Sequence, residues 1–330
     1  MKTKHIILSI AVFAGLMLGT RLHAQIFVTN ENNNTIGEYN LNGTPVGSGT
    51  LVSSGGLDHP TGIVVDGGNV FVANEGSASI FEFTISGTLV KSAGFGGGAL
   101  LNGIAASGGN VYTTDFGNNR IYELQEGNFL DTGTISSKLN EPLGIAISGS
   151  DIFVANYGNN TIGEFTTAGA PVGSGTLISA GLDGPEGIAV SGSDIFVTNN
   201  INNTIAEFTT AGTRVGSGTL VSGLDSPIGI AVSGSDIYVA NNGAGTINEY
   251  TTAGLAVGSG TLVSGLEGPY GIAVEPIPEP STWVMAAGGF GMLFWLQRLR
   301  RRNAQVASSA GIKAPGTGAD FAGFDFDKFQ

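Results

Sequence analysis

The chain has 330 residues, of which 55 are glycine, 12% are charged and 41% are hydrophobic, with no cysteine and three histidines, His5, His23 and His59. Glycine at this level without a Gly-X-Y period excludes collagen and argues against long soluble helices, and the lack of cysteine excludes a disulfide scaffold, thiolate metal sites and a cysteine nucleophile. Residues 26–275 carry 22 Asp and Glu against four basic residues, Lys91, Arg120, Lys138 and Arg214, and so acidic a body repels phosphate backbones, which argues against nucleic acid as a partner.

Residues 1–24 read as a secretory signal peptide. Lys2 and Lys4 make a basic start, residues 6–18 (IILSIAVFAGLML) form an apolar run too short for a comfortable span, and Ala24 ends a stretch suited to cleavage.

Residues 25–275 are repetitive. A strand-like pentapeptide recurs six times: IFVTN at 26, VFVAN at 70, VYTTD at 111, IFVAN at 152, IFVTN at 195 and IYVAN at 237. Ahead of these lie GI(A/V) segments at 62, 103, 144, 187, 229 and 271; behind them come TIGEY (35–39), SIFEF (79–83), RIYEL (120–124), TIGEF (161–165), TIAEF (204–208) and TINEY (246–250). A fourth piece is SGTLVS or SGTLIS at 48, 174, 217 and 259. Tight turns such as SGSD (148–151) and TTAG (166–169) separate the pieces. A period of 40–45 residues with strand content alone predicts an all-β fold, a six-bladed β-propeller of four-stranded blades. The array starts with the second, third and fourth strands of a blade and ends with an orphan first strand at 271–274, so the N- and C-terminal strands are expected to complete the last blade together.

The GIAV…IYVAN…TINEY unit lacks a Trp-Asp dipeptide and resembles the NHL-type repeat of six-bladed propellers. That resemblance is specific for architecture and weak for activity.

Residues 276–302 form a second address. PIPEPST (276–282) is followed by the apolar run WVMAAGGFGMLFWLQ (283–297), roughly 22 Å long as a helix at about 1.5 Å per residue, and then by RLRRR (298–302). Tryptophans suit a membrane interface and arginines its cytoplasmic side. This order resembles the PEP-CTERM sorting signal. The resemblance implies recognition of Pro278, Glu279 and Pro280 by an exosortase-type processing enzyme. It further implies a short transmembrane helix with the basic cluster Arg298, Arg300, Arg301 and Arg302, transient inner-membrane anchoring, and delivery to the cell surface or extracellular polysaccharide. Residues 303–330 are Ala/Gly-rich and are expected to be a disordered tail, an extension beyond the point where such signals usually end.

In a propeller, the loops from second to third strands and from fourth to first strands share one face. Here the first set is Asn-rich (NENNNT, 30–35; NYGNNT, 156–161) and the second carries an acid or amide before proline (LDHPTG, 57–62; LNEPLG, 139–144). The ring Asn30, Asn74, Asp115, Asn156, Asn199 and Asn241 recurs in every unit. One reading makes it a set of turn formers; the other makes it a rim of amides for a sugar, or a carboxylate and carbonyl site for calcium. His59, Asp115, Glu141, Tyr157, Glu186 and Tyr270 break the repeat on this face and complete the candidate ligand-binding set. Glu38, Glu82, Glu123, Glu164, Glu207 and Glu249 recur in the third strands and are expected to accept hydrogen bonds within or between blades.

After signal removal only His59 remains, which excludes a histidine-clustered zinc site, and no G-x-S-x-G elbow occurs. The expected role is non-enzymatic binding or scaffolding of extracellular polysaccharide or a surface protein. The alternative is a calcium-dependent hydrolase or lyase, lactonase-like, which needs only carboxylates and amides.

Overall fold

The computed structural model describes residues 24–96 and 98–275. The signal segment before Ala24, the motif residues 276–302 with Pro278, Glu279, Pro280 and the arginine cluster, the expected membrane helix, and the tail 303–330 all lie outside the described residues.

The described chain forms six four-stranded antiparallel sheets. Blade 1 contains the strands Pro60–Asp66, Asn69–Asn74, Ser79–Thr84 and Leu89–Gly94. Blades 2 to 5 repeat the order, with innermost strands Leu101–Ser107, Pro142–Ser148, Pro185–Ser191 and Pro227–Ser233. In blade 6 the C-terminal strand Pro269–Val274 lies innermost and pairs with the N-terminal strand Gln25–Asn30, followed by Thr35–Asn40 and Pro45–Val52. The expected closure of the last blade from both ends of the chain is therefore present.

The second strands are buried almost throughout, from Val70 to Asn74 in blade 1 and from Ile152 to Asn156 in blade 3. Their near-continuous apolar runs follow from burial on both faces. Among the described residues the core divides into clusters that bridge neighbouring blades. One combines Phe27 and Ile36 of blade 6 with Val70 and Phe83 of blade 1; another combines Phe153 of blade 3 with Val197 and Phe208 of blade 4. Blade stacking rather than any single sheet thus buries the apolar surface.

Two features of the innermost strands build the axis. First, each carries a one-residue bulge against its second strand: Pro60 faces Asn74, but Ile63 faces Val72, and the same shift recurs in all six blades. The bulge falls on the dipeptides Thr61-Gly62, Asn102-Gly103, Leu143-Gly144, Glu186-Gly187, Ile228-Gly229 and Tyr270-Gly271, and a bulge re-aims the side chain that it carries. Second, the glycine of each dipeptide lies against the backbone of the next blade. A methyl group on Gly144 would stand 2.2 Å from the Glu186 carbonyl oxygen, and one on Gly271 would stand 2.4 Å from that of Thr61. The glycines of the GI(A/V) motif let the six strands crowd around the axis, and the contact from Gly271 back to Thr61 closes the ring.

Candidate functional site

The second-to-third and fourth-to-first loops lie on one face and are zipped together by backbone bonds. Glu75 N–H donates to the His59 carbonyl at 3.1 Å, and Tyr157 N–H to that of Glu141 at 3.1 Å. Three of the recurrent amides at the ends of second strands reinforce this zipper. Asn74 Oδ1 accepts from Asp58 N–H at 2.8 Å, Asn156 Oδ1 from Asn140 N–H at 3.1 Å, and Asn199 Oδ1 from Asp183 N–H at 3.0 Å. Asp115 takes the same place in blade 2, accepting from Leu100 N–H at 3.1 Å and pairing with Arg120 at 3.1 Å. Asn30 and Asn241 are also buried, and no hydrogen bond reaches their Oδ1 atoms. All six side chains are buried, and in blades 1 to 4 they anchor the loops.

A second ring of amides, which the repeat comparison passed over, joins one blade to the next. Asn34, Asn119, Asn160 and Asn203 adopt left-handed backbone conformations, with φ between 52° and 59°. Their Oδ1 atoms accept N–H groups from the following blade: His59 at 2.8 Å, Glu141 at 2.5 Å, Gly184 at 2.7 Å and Ser226 at 2.8 Å. Asparagine tolerates this conformation and bonds locally, which is why it recurs there. His59 and Glu141, singled out as departures from the repeat, are thus held by their backbones with side chains outward. His59 is exposed beside Asp58, with Nδ1 3.0 Å from its carboxylate. Tyr157 opens a short 3-10 turn, Tyr157–Asn159.

The remaining two candidates, Glu186 and Tyr270, meet at the axis. They occupy bulge positions two blades apart, and the bulge of blade 2 adds Asn102, which the sequence reading left out. Asn102 Nδ2 donates to Tyr270 Oη at 2.5 Å. With Glu186 and Ile228 they line the loop-face mouth of an axial cavity of about 70 Å³, whose deeper wall is the glycine ring and Ile63, Ile104, Ile145, Ile188, Ile230 and Ile272. These same three blades carry Thr29, Thr114 and Thr198 where the others have Ala73, Ala155 and Ala240. The threonine hydroxyls span the bulges: Thr198 accepts from Gly187 N–H at 2.8 Å and donates to the Ile228 carbonyl at 2.6 Å. The axis is therefore pseudo-threefold in polarity within a sixfold frame.

The mouth is electronegative. Burial, with Glu31 adding repulsion, pushes the Glu186 carboxyl up to about 7. Its Oε2 is shut off from solvent without a hydrogen-bond partner. Burial and then Glu31 raise Glu75, against a lowering effect of His59. Burial also holds the Tyr270 phenol far above its ordinary range, with Glu186, Glu75 and Glu31 adding to the effect.

On the opposite face the recurrent third-strand glutamates divide. Asn69 donates to Glu82 and Asn110 to Glu123, each at 2.8 Å. In blades 3 to 5 the matching position is Asp151, Asp194 or Asp236, and burial together with that neighbouring carboxylate raises Glu164, Glu207 and Glu249. Among the described residues no three His, Asp or Glu side chains converge as metal ligands.

Sheet topology and axial geometry define the chain as a six-bladed β-propeller. Solved structures agree on the fold. A chain of a nidogen/laminin complex aligns with a TM-score of 0.61 at 16% identity, over 76% of this chain and 98% of that one. Virginiamycin B lyase from Staphylococcus aureus aligns with a TM-score of 0.54 at 18% identity, over 80% and 87%. No curated protein matches the chain in sequence. Residues 276–302 match the PEP-CTERM protein-sorting motif, so this is a propeller carrying that signal. The signal indicates export, a cell-surface or membrane-associated location, and processing by an exosortase.

Proposed function

We propose that the protein is a non-enzymatic binding or scaffold module of the cell surface or extracellular polysaccharide, and that its loop face receives the partner. The observation that carries this reading is where the chain leaves the ring. Glu275 N–H bonds to the Gln25 carbonyl at 2.9 Å, at the end of the innermost strand remote from the loops. Both termini of the ring emerge on the face of the tight turns, and the sorting motif begins at the next residue, 276. A ring tethered at residue 275 is tethered on the face opposite the loops.

That face is suited to holding a polymer rather than enclosing a substrate. Its loops are cross-braced within and between blades, so little ordering is left to be done on binding. Exposed Asn33, Asn159 and Asn202 lie on it, and the Oδ1 of each accepts from the threonine hydroxyl two residues on, at 2.6–2.7 Å. The axial cavity, about 70 Å³, is far below the roughly 300–1,000 Å³ of an ordinary small-molecule pocket.

The test is affinity chromatography of the mature exported protein on polysaccharide from the producing cells. Retention is expected, with loss in a triple variant Asn33→Glu, Asn159→Glu, Asn202→Glu and no change on substituting Ser150 and Ser193 of the turn face. Failure of the wild-type protein to bind any surface polymer or surface protein would overturn the reading.

A further inference from the structure

We propose that the mouth of the axial channel binds the primary ammonium group of a short, unbranched alkylamine, with the charged head against Glu186, Tyr270 and Asn102 and the alkyl chain inward along the isoleucine ring. This site is separate from the polymer-binding reading of the loops and stands or falls without it.

The argument starts from the bulges. Of six equivalent positions around the axis, three carry Thr61, Leu143 and Ile228, and three carry Asn102, Glu186 and Tyr270. The second set comes from alternate blades, 84 residues apart along the chain, and meets at one opening. A carboxylate in such a place costs several kcal/mol unless a counter-charge or donors satisfy it. Glu186 receives no hydrogen bond from the described protein, and its Oε2 has no access to solvent. The charged and titratable groups acting on the opening are Glu31, Glu75, Tyr270 and, through Glu75, His59. Two of these four surrounding groups and Glu186 itself are carboxylic acids, and no lysine or arginine is among them. The opening selects for positive charge.

Size and donor type then narrow the class. About 70 Å³ is room for about five water-sized groups at roughly 10–15 Å³ each on the same measure, which admits an ammonium group and a few methylenes but not a sugar ring. A calcium ion takes about six to eight oxygen ligands, whereas the mouth has one carboxylate, one amide and one phenol. An ammonium head needs about three acceptors, and these three side chains have the oxygens for it. The polar groups precede the glycines and therefore lie nearer the loops; the isoleucines follow and lie deeper, so an amphiphilic amine has one favoured orientation.

The experiment is titration of the mature exported protein with propylammonium chloride, followed by ligand-observed NMR. Glucosamine, sodium acetate and calcium chloride serve as comparators. Saturable binding of propylammonium is expected, about thirtyfold weaker at pH 5.5 than at pH 8, because the proton on Glu186 competes with the cation. Glu186→Gln should abolish saturation, and Tyr270→Phe should weaken it with no loss of folding, checked by circular dichroism. Equal binding by wild type and Glu186→Gln, no saturation by propylammonium, or tighter saturation by calcium or glucosamine would each overturn the assignment.

Discussion

Replacing Gly144 by alanine tests the account of the axis most directly. The backbone of Gly144 is not in the left-handed region, so alanine is conformationally allowed there, and the loss of chain entropy in the unfolded state would by itself stabilise by about 0.4–1 kcal/mol. Against this, the added methyl would sit 2.2 Å from the Glu186 carbonyl oxygen and 3.0 Å from the Ile188 nitrogen. Both are backbone atoms of the next blade, so no side chain can rotate away. The strands would have to separate by most of an ångström, and in a closed ring that displacement is passed to the other interfaces. Overpacking of a core costs about 1–3 kcal/mol, and the upper end applies when both partners are backbone. The net expectation is a loss of about 2 kcal/mol, or about 4–8 °C in Tm for a domain of this size. Gly94→Ala is the control: its Cβ would meet nothing within 4 Å, and Tm should stay level or rise slightly. Thermal unfolding followed by circular dichroism compares the two. Equal Tm values for Gly144→Ala and the wild type would refute the close-approach argument.

The inter-blade asparagines separate backbone from side-chain effects. Asn160→Ala should cost about 2 kcal/mol, by removing the bond to Gly184 and the short polar side chain that makes φ 54° tolerable, whereas Asn160→Gly, which has no β-carbon to strain there, should recover roughly half in urea unfolding. The pH dependence of Glu186 has a definite sign. The folded chain keeps its proton up to about pH 7, while the unfolded chain loses it near the ordinary 4.5. Stability from this group therefore falls as pH rises through that window, and Glu186→Gln should exceed the wild type by about 1–3 kcal/mol at pH 8 while matching it at pH 4. Lys91 joins blade 1 to blade 2: its ammonium is 2.7 Å from the nearly buried Glu82, bonds to the Glu126 carbonyl and lies 4.5 Å from the Phe129 ring centre. Lys91→Met should cost about 3 kcal/mol by stranding that carboxylate, with part restored in Lys91→Met/Glu82→Gln. Deleting residues 269–275 uncovers the second strand of blade 6, and the cooperative thermal transition should be lost; a normal transition would contradict closure by the C-terminal strand.

Local chemistry explains what was legible in the chain. A propeller repeats one supersecondary unit, so the strand count, blade count and shared last blade all appear as a period. Turn formers were legible for the same reason, because an asparagine that pins a loop in one blade pins it in the next. The recurrent ring from Asn30 to Asn241 belongs to that category: its side chains are buried, and in four blades they are seen to hold the loops. Asn102 escaped notice because its segment, GGGALLNG, lacks the acid and proline of the other five loops. The bulge that brings it to the axis is a property of strand pairing, not of composition.

The order of strands, the six-blade tally and the exported, surface-directed destination are written in linear sequence, since each depends on residues near one another in the chain. The grouping of Asn102, Glu186 and Tyr270 is not, because each belongs to a different blade and only closure of the ring brings them to one axis. Nor is the mutual contact of the six glycines, where crowding of backbone on backbone decides the residue. Periodicity shows that such positions are equivalent; only the folded ring shows that alternate ones converge, because convergence is set by rotation about an axis that no segment of the chain contains.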